Sequence, residues 1–307
     1  MRALVARSGR VQLVEAPDPE PGPGQVRIRM EAAALNPVDL ATASGSLTAL
    51  GLVQPLDAYG LGWDVAGVAD LVGPGVPHVR PGDFVIGLSD RLPLPVKAQA
   101  DLVVLDTSAV APAPAGIPAV EAATLPLNTL TAVQALDLTG LTAGDTLLVT
   151  GAAGGVGGYL VEIAAARGVR VAASASAGDE ALVRSFGAEW FVPRGEDLGP
   201  AVRAAVPGGV DAAVDAALVG VAALDAVRGG GAFVSVAAGA APVPLRGIRV
   251  STVFIRADGG RLAEIARLAE AGRLTTRVAG VHPLEKATEA YERLAAGGLR
   301  GRLVLVP

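Results

Sequence analysis

Between residues 151 and 158 the chain reads Gly-Ala-Ala-Gly-Gly-Val-Gly-Gly. Such residues offer no side-chain chemistry. Their use lies in the backbone, which can bend sharply and come close to a bulky group. A turn of this kind that opens a helix points unpaired N–H groups and the positive end of the helix dipole at an anion such as a pyrophosphate. The dinucleotide-binding pattern is G-x-G-x-x-G. This chain has Ala152, Ala153, Gly154, Gly155, Val156 and Gly157, with alanine in the place of the first glycine. The flanks suit the pattern. Residues 147–150 form a short apolar, β-branched run, as in a buried strand. Val156, Leu160, Ile163 and Ala164 recur at helical spacing, and Gly168 stands where that helix closes. Residues 169–173 read as a second strand, which completes one βαβ unit.

The second strand runs into Ala173-Ser174-Ala175-Ser176. A site for NAD has an Asp or Glu about 20 residues beyond the glycines, to hold the ribose hydroxyls. No acid stands there. A 2′-phosphate meets no repulsion at this position, and the hydroxyls of Ser174 and Ser176 can donate to it. The pattern points to NADPH.

Other chemistries are narrowed by what the chain lacks. It has no cysteine, so disulfides, thiolate catalysis and cysteine-based zinc sites are excluded. His78 and His282 are the only histidines, and both read as loop residues, so no metal is expected. Net charge is −5, without a basic run interleaved with aromatics, which argues against nucleic acid. Lysine occurs only at 97 and 286. Hydrophobic residues make up 51% and aromatics only 3%, so a mean hydropathy of +0.48 reflects alanine and valine, and no membrane partner is expected. The first residues alternate as a strand does and lack the plan of a signal peptide; the expected location is the cytoplasm.

Two regions surround and contain the glycine turn. Residues 1–117 are rich in short alternating or apolar runs broken by proline and glycine, which reads as a β region. In 118–250 strands alternate with helices, which implies an α/β doubly wound parallel sheet. It opens with a helical stretch bent at Pro126, and residues 221–231 read as a helix with glycines past its end. The tail, 251–307, is expected to return to the first region. The domains are therefore 1–117 with 251–307, and 118–250.

Several ordered motifs resemble the medium-chain dehydrogenase/reductase superfamily, in its zinc-independent quinone oxidoreductase branch, which includes the zeta-crystallin-like enzymes. They are NPVDLATASG (36–45), GWDVAGV (62–68), VRPGDFVIGL (79–88), EAATLPLNTLTA (121–132), GAAGGVGG (151–158), SFGAE (185–189), VDAAVDA (210–216), GGAFVSVAAG (230–239) and GLRGRLVLV (298–306). The resemblance spans the whole chain. It implies a GroES-like β-rich domain made of both chain ends, a Rossmann domain, NADPH in the cleft, and a homodimer that pairs edge strands near 250–255.

The resemblance also implies site residues. Asn36 and Asn128 would lie at the nicotinamide and substrate, and Tyr59 would offer a phenol to the substrate oxygen; these three are the catalytic candidates. Cofactor contacts are expected from Asn36, Asn128, Thr131, Ala153, Gly154, Gly155, Val156, Ser174, Ser176, Arg194, Ala237, Ala238, Phe254 and Ile255. Asp39, Trp63 and Asp64 read as structural. The chain departs from the family at three places. Asp179 stands near where a phosphate-binding lysine is common. Arg194 replaces a tyrosine and can offset that loss. Gln99 replaces an aromatic, a change expected to widen or re-polarise the substrate site. The implied reaction is hydride addition to the β-carbon of a quinone or α,β-unsaturated carbonyl, with placed donors stabilising charge on oxygen. Two alternatives stay open: a tailoring enoyl reductase of a polyketide-like pathway, and an NADPH-binding protein without turnover.

Overall fold

The computed structural model describes residues 1–307. The chain divides into two compact units, Met1–Leu130 with Arg256–Pro307, and Thr131–Ile255.

In the first unit the strand Gln25–Ala34 organises a seven-stranded sheet. Val26, Ile28, Met30 and Ala32 are buried while Arg29 and Glu31 face water, the period of two that gives a sheet one apolar face. This strand pairs antiparallel with Asp64–Val72, with Leu102–Asp106 and, through Val304 and Leu305, with Arg302–Val306. Residues Arg256–Pro307 thus belong to the same unit as Met1–Leu130. Arg2–Arg7 pairs with Arg10–Glu15 and Tyr59–Gly60 in a smaller sheet. Leu4, Ile28, Met30, Leu35, Val65 and Leu305 fill the core. Two short helices, Pro37–Ala43 and Ser46–Ala49, interrupt the β region.

The second unit is a six-stranded parallel sheet in the order Trp190–Pro193, Arg170–Ala175, Thr146–Thr150, Val210–Asp215, Val227–Ser235, Arg249–Thr252. In chain order this is 3-2-1-4-5-6, the Rossmann arrangement. Leu147, Leu148, Val149, Val171, Ala172 and Ala173 are all buried, because helices cover both faces of such a sheet.

Two segments depart from the sequence reading. Residues 227–231 begin a strand and do not end a helix. Gly230 has φ +76°, the pairing slips between Val210 and Ala212, and a Cβ on Gly231 would lie 2.5 Å from the Asp211 carbonyl. These glycines serve a bulge and a close backbone approach. Residues 118–130, grouped by pattern with the α/β region, pack with the first unit, where Ala119–Ala122 lies on Gln25–Ala34 and Asp64–Val72. The bend is at Pro126, the first residue of the helix Pro126–Thr139, where proline's missing N–H costs nothing. No helix is long and apolar enough to cross a membrane.

Candidate functional site

The second unit gathers most of the expected cofactor residues along one edge. Its strands are parallel, so their carboxyl ends share that edge. Ala153, Gly154, Gly155 and Val156 follow the strand ending at Thr150; Ser174 and Ser176 bracket the end at Ala175; Arg194 follows Pro193; Ala237 and Ala238 follow Ser235; Phe254 and Ile255 follow Thr252. The strand order reverses beside Thr146–Thr150, and a ligand of an open α/β sheet sits at that reversal.

The turn itself is built on two glycines. Gly151 takes φ +61°, and a Cβ on Gly157 would lie 2.2 Å from the Gly151 carbonyl. Ala152 is buried, and its N–H donates to the Ser174 carbonyl at 3.0 Å. An alanine is thus accommodated in the place of the motif's first glycine. The helix Gly155–Ala166 begins here, and the N–H groups of its first turn have no acceptor inside the helix. Its polar floor went unread in the sequence. Thr150 Oγ1 donates to Asp215 Oδ1 at 2.6 Å, and the same carboxylate accepts from the N–H groups of Val219 (3.1 Å) and Gly220 (2.7 Å). Asp215 is buried, and it fixes the loop that follows its strand.

Arg194 Nη2 donates to Ser176 Oγ at 3.0 Å, and the Arg194 N–H donates to the Ala175 carbonyl at 2.7 Å. Ser174 and Ser176 are two apart along an extended chain and so share a face. A positive guanidinium and two hydroxyls at a helix-opening glycine turn, with no carboxylate at the end of the second strand, fit a phosphorylated dinucleotide. Phe254 is 68% exposed at the sheet edge, and Thr131 is buried in Pro126–Thr139.

In the first unit Asn36 and Asn128 meet. Asn36 caps Pro37–Ala43. Its Nδ2 donates to Asp64 Oδ2 at 2.6 Å, and its Oδ1 accepts from Asn128 Nδ2 at 3.2 Å. Asn128 Nδ2 also donates to the Thr124 carbonyl, and its Oδ1 accepts from the Arg302 guanidinium through Nε and Nη2. Asp64 Oδ1 accepts from the Leu127 N–H at 2.5 Å. Asp39 accepts from the Asn36 N–H at 2.8 Å and from the Gly62 N–H at 3.0 Å. Gly62 has φ +97°, and a Cβ there would lie 2.4 Å from the Gln99 nitrogen. Asp39 and Asp64 thus tie down turns, as the sequence reading expects of them. Both are fully buried, and burial pushes Asp39 up to about 6 and Asp64 up to about 7.

Tyr59 stands apart from this group. Its hydroxyl donates to the Gln54 carbonyl (3.0 Å), accepts from the Leu56 N–H (2.9 Å) and lies 3.0 Å from Thr48 Oγ1. It organises residues 48–59. Gln99 is fully buried, and its Oε1 accepts from the Tyr291 hydroxyl at 2.7 Å. Lys97, Tyr291 and Arg302 escaped the sequence reading. Lys97 is buried with Nζ 3.9 Å above the Trp63 ring. The one available signal was the rarity of lysine, two in the whole chain.

The donor set does not fit a metal: no group of three or more His, Cys, Asp or Glu side chains converges as one. Residues 22–114 match the alcohol dehydrogenase GroES-like domain, and 186–305 match the zinc-binding dehydrogenase family. The 2-methylene-furan-3-one reductase of Solanum lycopersicum is 30% identical over 292 residues, covering 91% of this chain and 71% of that protein. The quinone oxidoreductase of Coxiella burnetii superposes with a TM-score of 0.87 at 28% identity, over 100% of this chain and 99% of that one. The chain belongs to the quinone oxidoreductase branch of the medium-chain dehydrogenase/reductase superfamily. It is an oxidoreductase with that branch's GroES-like and Rossmann folds. Within this superfamily it is also 36% identical over 295 residues to part of the spectinabilin polyketide synthase system protein NorB of Streptomyces orinoci. That match takes in 91% of this chain but only 13% of NorB, so the chain spans about an eighth of that relative's length.

Proposed function

We propose that this oxidoreductase is a cytoplasmic, metal-independent, NADPH-dependent reductase of quinones or α,β-unsaturated carbonyls. The observation that carries the cofactor assignment is the contact of Arg194 with Ser176 beside Ser174, at the carboxyl edge of the sheet and next to the glycine turn. Gly155, Val156 and Gly157 offer the first-turn N–H groups for the pyrophosphate. Ser174, Ser176 and Arg194 hold the 2′-phosphate, and Ala237, Ala238, Phe254 and Ile255 line the same edge.

Bound NADPH supplies a hydride. The chain's residues bind and orient the acceptor and stabilise the negative charge that appears on its oxygen. Asn128 is a positioning residue, because its amide is committed to Asn36, Thr124 and Arg302. Asn36 donates to Asp64 through Nδ2, which carries two protons, and the second serves a ligand. The relative named for a furanone with a conjugated exocyclic methylene supports an enone acceptor. The outermost strand Arg249–Thr252, with Phe254 exposed beyond it, supports a homodimer through that edge.

The test is reduced-nicotinamide absorbance with NADPH and with NADH, against a panel of quinones and enones, with both cofactors titrated in parallel. Turnover with NADPH preferred is the expected result. Equal use of NADH defeats the phosphate pocket. A second reading, enoyl reduction on a polyketide-type chain, draws on the 36% identity to part of NorB. Selective turnover of a 2-enoyl thioester over quinones decides for it.

A further inference from the structure

Arg302, Asn128, Asn36 and Asp64 are joined end to end by hydrogen bonds inside the first unit. The guanidinium donates through Nε (3.1 Å) and Nη2 to Asn128 Oδ1. Asn128 Nδ2 donates to Asn36 Oδ1 at 3.2 Å, and Asn36 Nδ2 donates to Asp64 Oδ2 at 2.6 Å. Asn36, Asn128 and Asp64 are all buried, so their polar atoms depend on one another and not on bulk water.

The backbone brings the four together. The Leu35 N–H donates to the Leu303 carbonyl at 2.9 Å, which sets Asn36 beside Arg302. Gly301 takes φ +109°, and a Cβ there would lie 2.5 Å from the Arg277 carbonyl, so glycine lets the chain enter the strand Arg302–Val306 at this point. Ala32 pairs with Ala66, which carries Asp64 to the strand end that Asn36 follows. Leu127, whose N–H holds Asp64 Oδ1 at 2.5 Å, directly precedes Asn128.

A chain of this kind has a direction. An amide can be turned end for end, because its oxygen accepts and its nitrogen donates. A guanidinium only donates and keeps its protons, and an ionised carboxylate only accepts. With one at each end, both amides have a single orientation in which every contact joins a donor to an acceptor. The Thr124 carbonyl, which accepts from Asn128 Nδ2 at 3.3 Å, favours the same orientation from the side. Proton uptake at Asp64 breaks this agreement. Both carboxyl oxygens already face N–H groups, from Leu127 and from Asn36. A new O–H needs an acceptor, and Asn36 supplies one only by turning its amide. Asn128 must then turn as well, which sets its Nδ2 against the guanidinium and its Oδ1 against the Thr124 carbonyl.

We propose that Arg302 is a positioning residue: acting through Asn128, it fixes the direction of both amides and thereby opposes proton uptake at Asp64, three hydrogen bonds away. Two catalytic candidates thus take their orientation from a residue that is neither of them. Burial raises Asp64 to about 7, opposed by the hydrogen bonds from Leu127 and Asn36 and by the charge of Arg302, and reinforced by the charge of Asp39. Lys97, near Asp39, Asp90 and Asp64, and Tyr291, near Asp39, complete the titratable surroundings.

The experiment reads Asp64 itself. The side-chain carboxyl carbon of aspartate is isotopically labelled for NMR, and the Asp64 resonance is assigned by its loss in Asp64→Asn. Its titration is followed in wild type, Arg302→Met, Arg302→Lys and Asn128→Leu, with thermal unfolding to show that each variant folds. Arg302→Met is expected to raise the Asp64 midpoint by about one pH unit, a tenfold gain in proton affinity. Arg302→Lys keeps a charged group that only donates, and is expected to stay within about half a unit of wild type. Asn128→Leu is the decisive variant, because it cuts the chain and leaves the charge of Arg302 in place; it too is expected to raise the midpoint by about one unit. A folded Asn128→Leu with the wild-type midpoint overturns the proposal, since Arg302 would then act on Asp64 through space alone. An unmoved midpoint in Arg302→Met overturns it as well, and so does a rise of about one unit in Arg302→Lys. Should Arg302→Met not fold, the outcomes for Asn128→Leu and Arg302→Lys decide. Only residues of the first unit are involved and no substrate enters the measurement, so the result is independent of the reductase reading.

Discussion

Arg194 and Ser176 touch across the ends of neighbouring parallel strands, the guanidinium Nη2 3.0 Å from the hydroxyl. Each lies one residue past its strand, whose last paired residues are Ala175 and Pro193. The contact therefore depends on sheet register and not on a mobile loop. Arg194→Ala removes the only charge in the trio. A charge-assisted bond to phosphate is worth about 1.5–3 kcal/mol, so NADPH should bind about 10- to 100-fold more weakly, with NADH little changed. Titration of both cofactors checks this. An equal loss for NADPH and NADH would assign Arg194 a structural role.

Gly157→Ala tests the turn. The added methyl would lie 2.2 Å from the Gly151 carbonyl and 2.8 Å from its carbon, and backbone at that distance cannot move aside cheaply. Overpacking of this kind costs about 1–3 kcal/mol. Tm should fall and the affinity for both cofactors should drop together. Ala152→Gly, at a position where alanine already fits, should change neither by more than twofold. Calorimetry and a cofactor titration on the two variants separate these outcomes.

The turn was legible because it is local: strand, glycines and helix are consecutive, and each shows in residue type and spacing. Ser174 and Ser176 were legible because the end of the second strand could be placed from its apolar run, whereas Arg194 came through the resemblance. Asn36 and Asn128 came through resemblance alone, since residues 92 apart in sequence meet only through tertiary packing. Lys97 and Arg302 were unread for the same reason. A single lysine or arginine has no periodicity, and its partners come from distant segments. The strand at 227–231 was misread because glycines after a helical pattern serve equally as a helix stop or as a close approach between strands.

Tyr59 is a catalytic candidate by type, yet its hydroxyl is spent on Gln54, Leu56 and Thr48. Tyr59→Phe removes those bonds and keeps the ring. Residues 48–59 should loosen, raising KM for the acceptor about three- to tenfold, as loss of about 1 kcal/mol of positioning would. The value of kcat should stay within threefold. A 100-fold fall in kcat with KM unchanged would instead place the phenol on the substrate oxygen.

Asp39 and Asp64 make stability depend on pH. Burial is the first cause in both, and it lifts Asp39 to about 6 and Asp64 to about 7 from an ordinary 3.8, against the hydrogen bonds that favour their charged forms. A carboxyl with a raised folded-state value holds its proton longer in the native state than in the unfolded chain. Between about pH 4 and 7 the native state therefore binds more protons, and stability falls as pH rises through that window. The contribution is complete below the unfolded value and is gone above about 7. Asp64→Asn removes one of the two groups. The variant leaves a donor facing either Leu127 or Asn36, so its Tm should be lower at every pH, and its decline between pH 5 and 7 should be shallower than that of wild type. Thermal unfolding across that range measures both. A wild-type Tm that rises from pH 5 to 7, or an unchanged slope in the variant, would mean that Asp64 is ionised throughout and that its hydrogen bonds from Asn36 and Leu127 outweigh its burial.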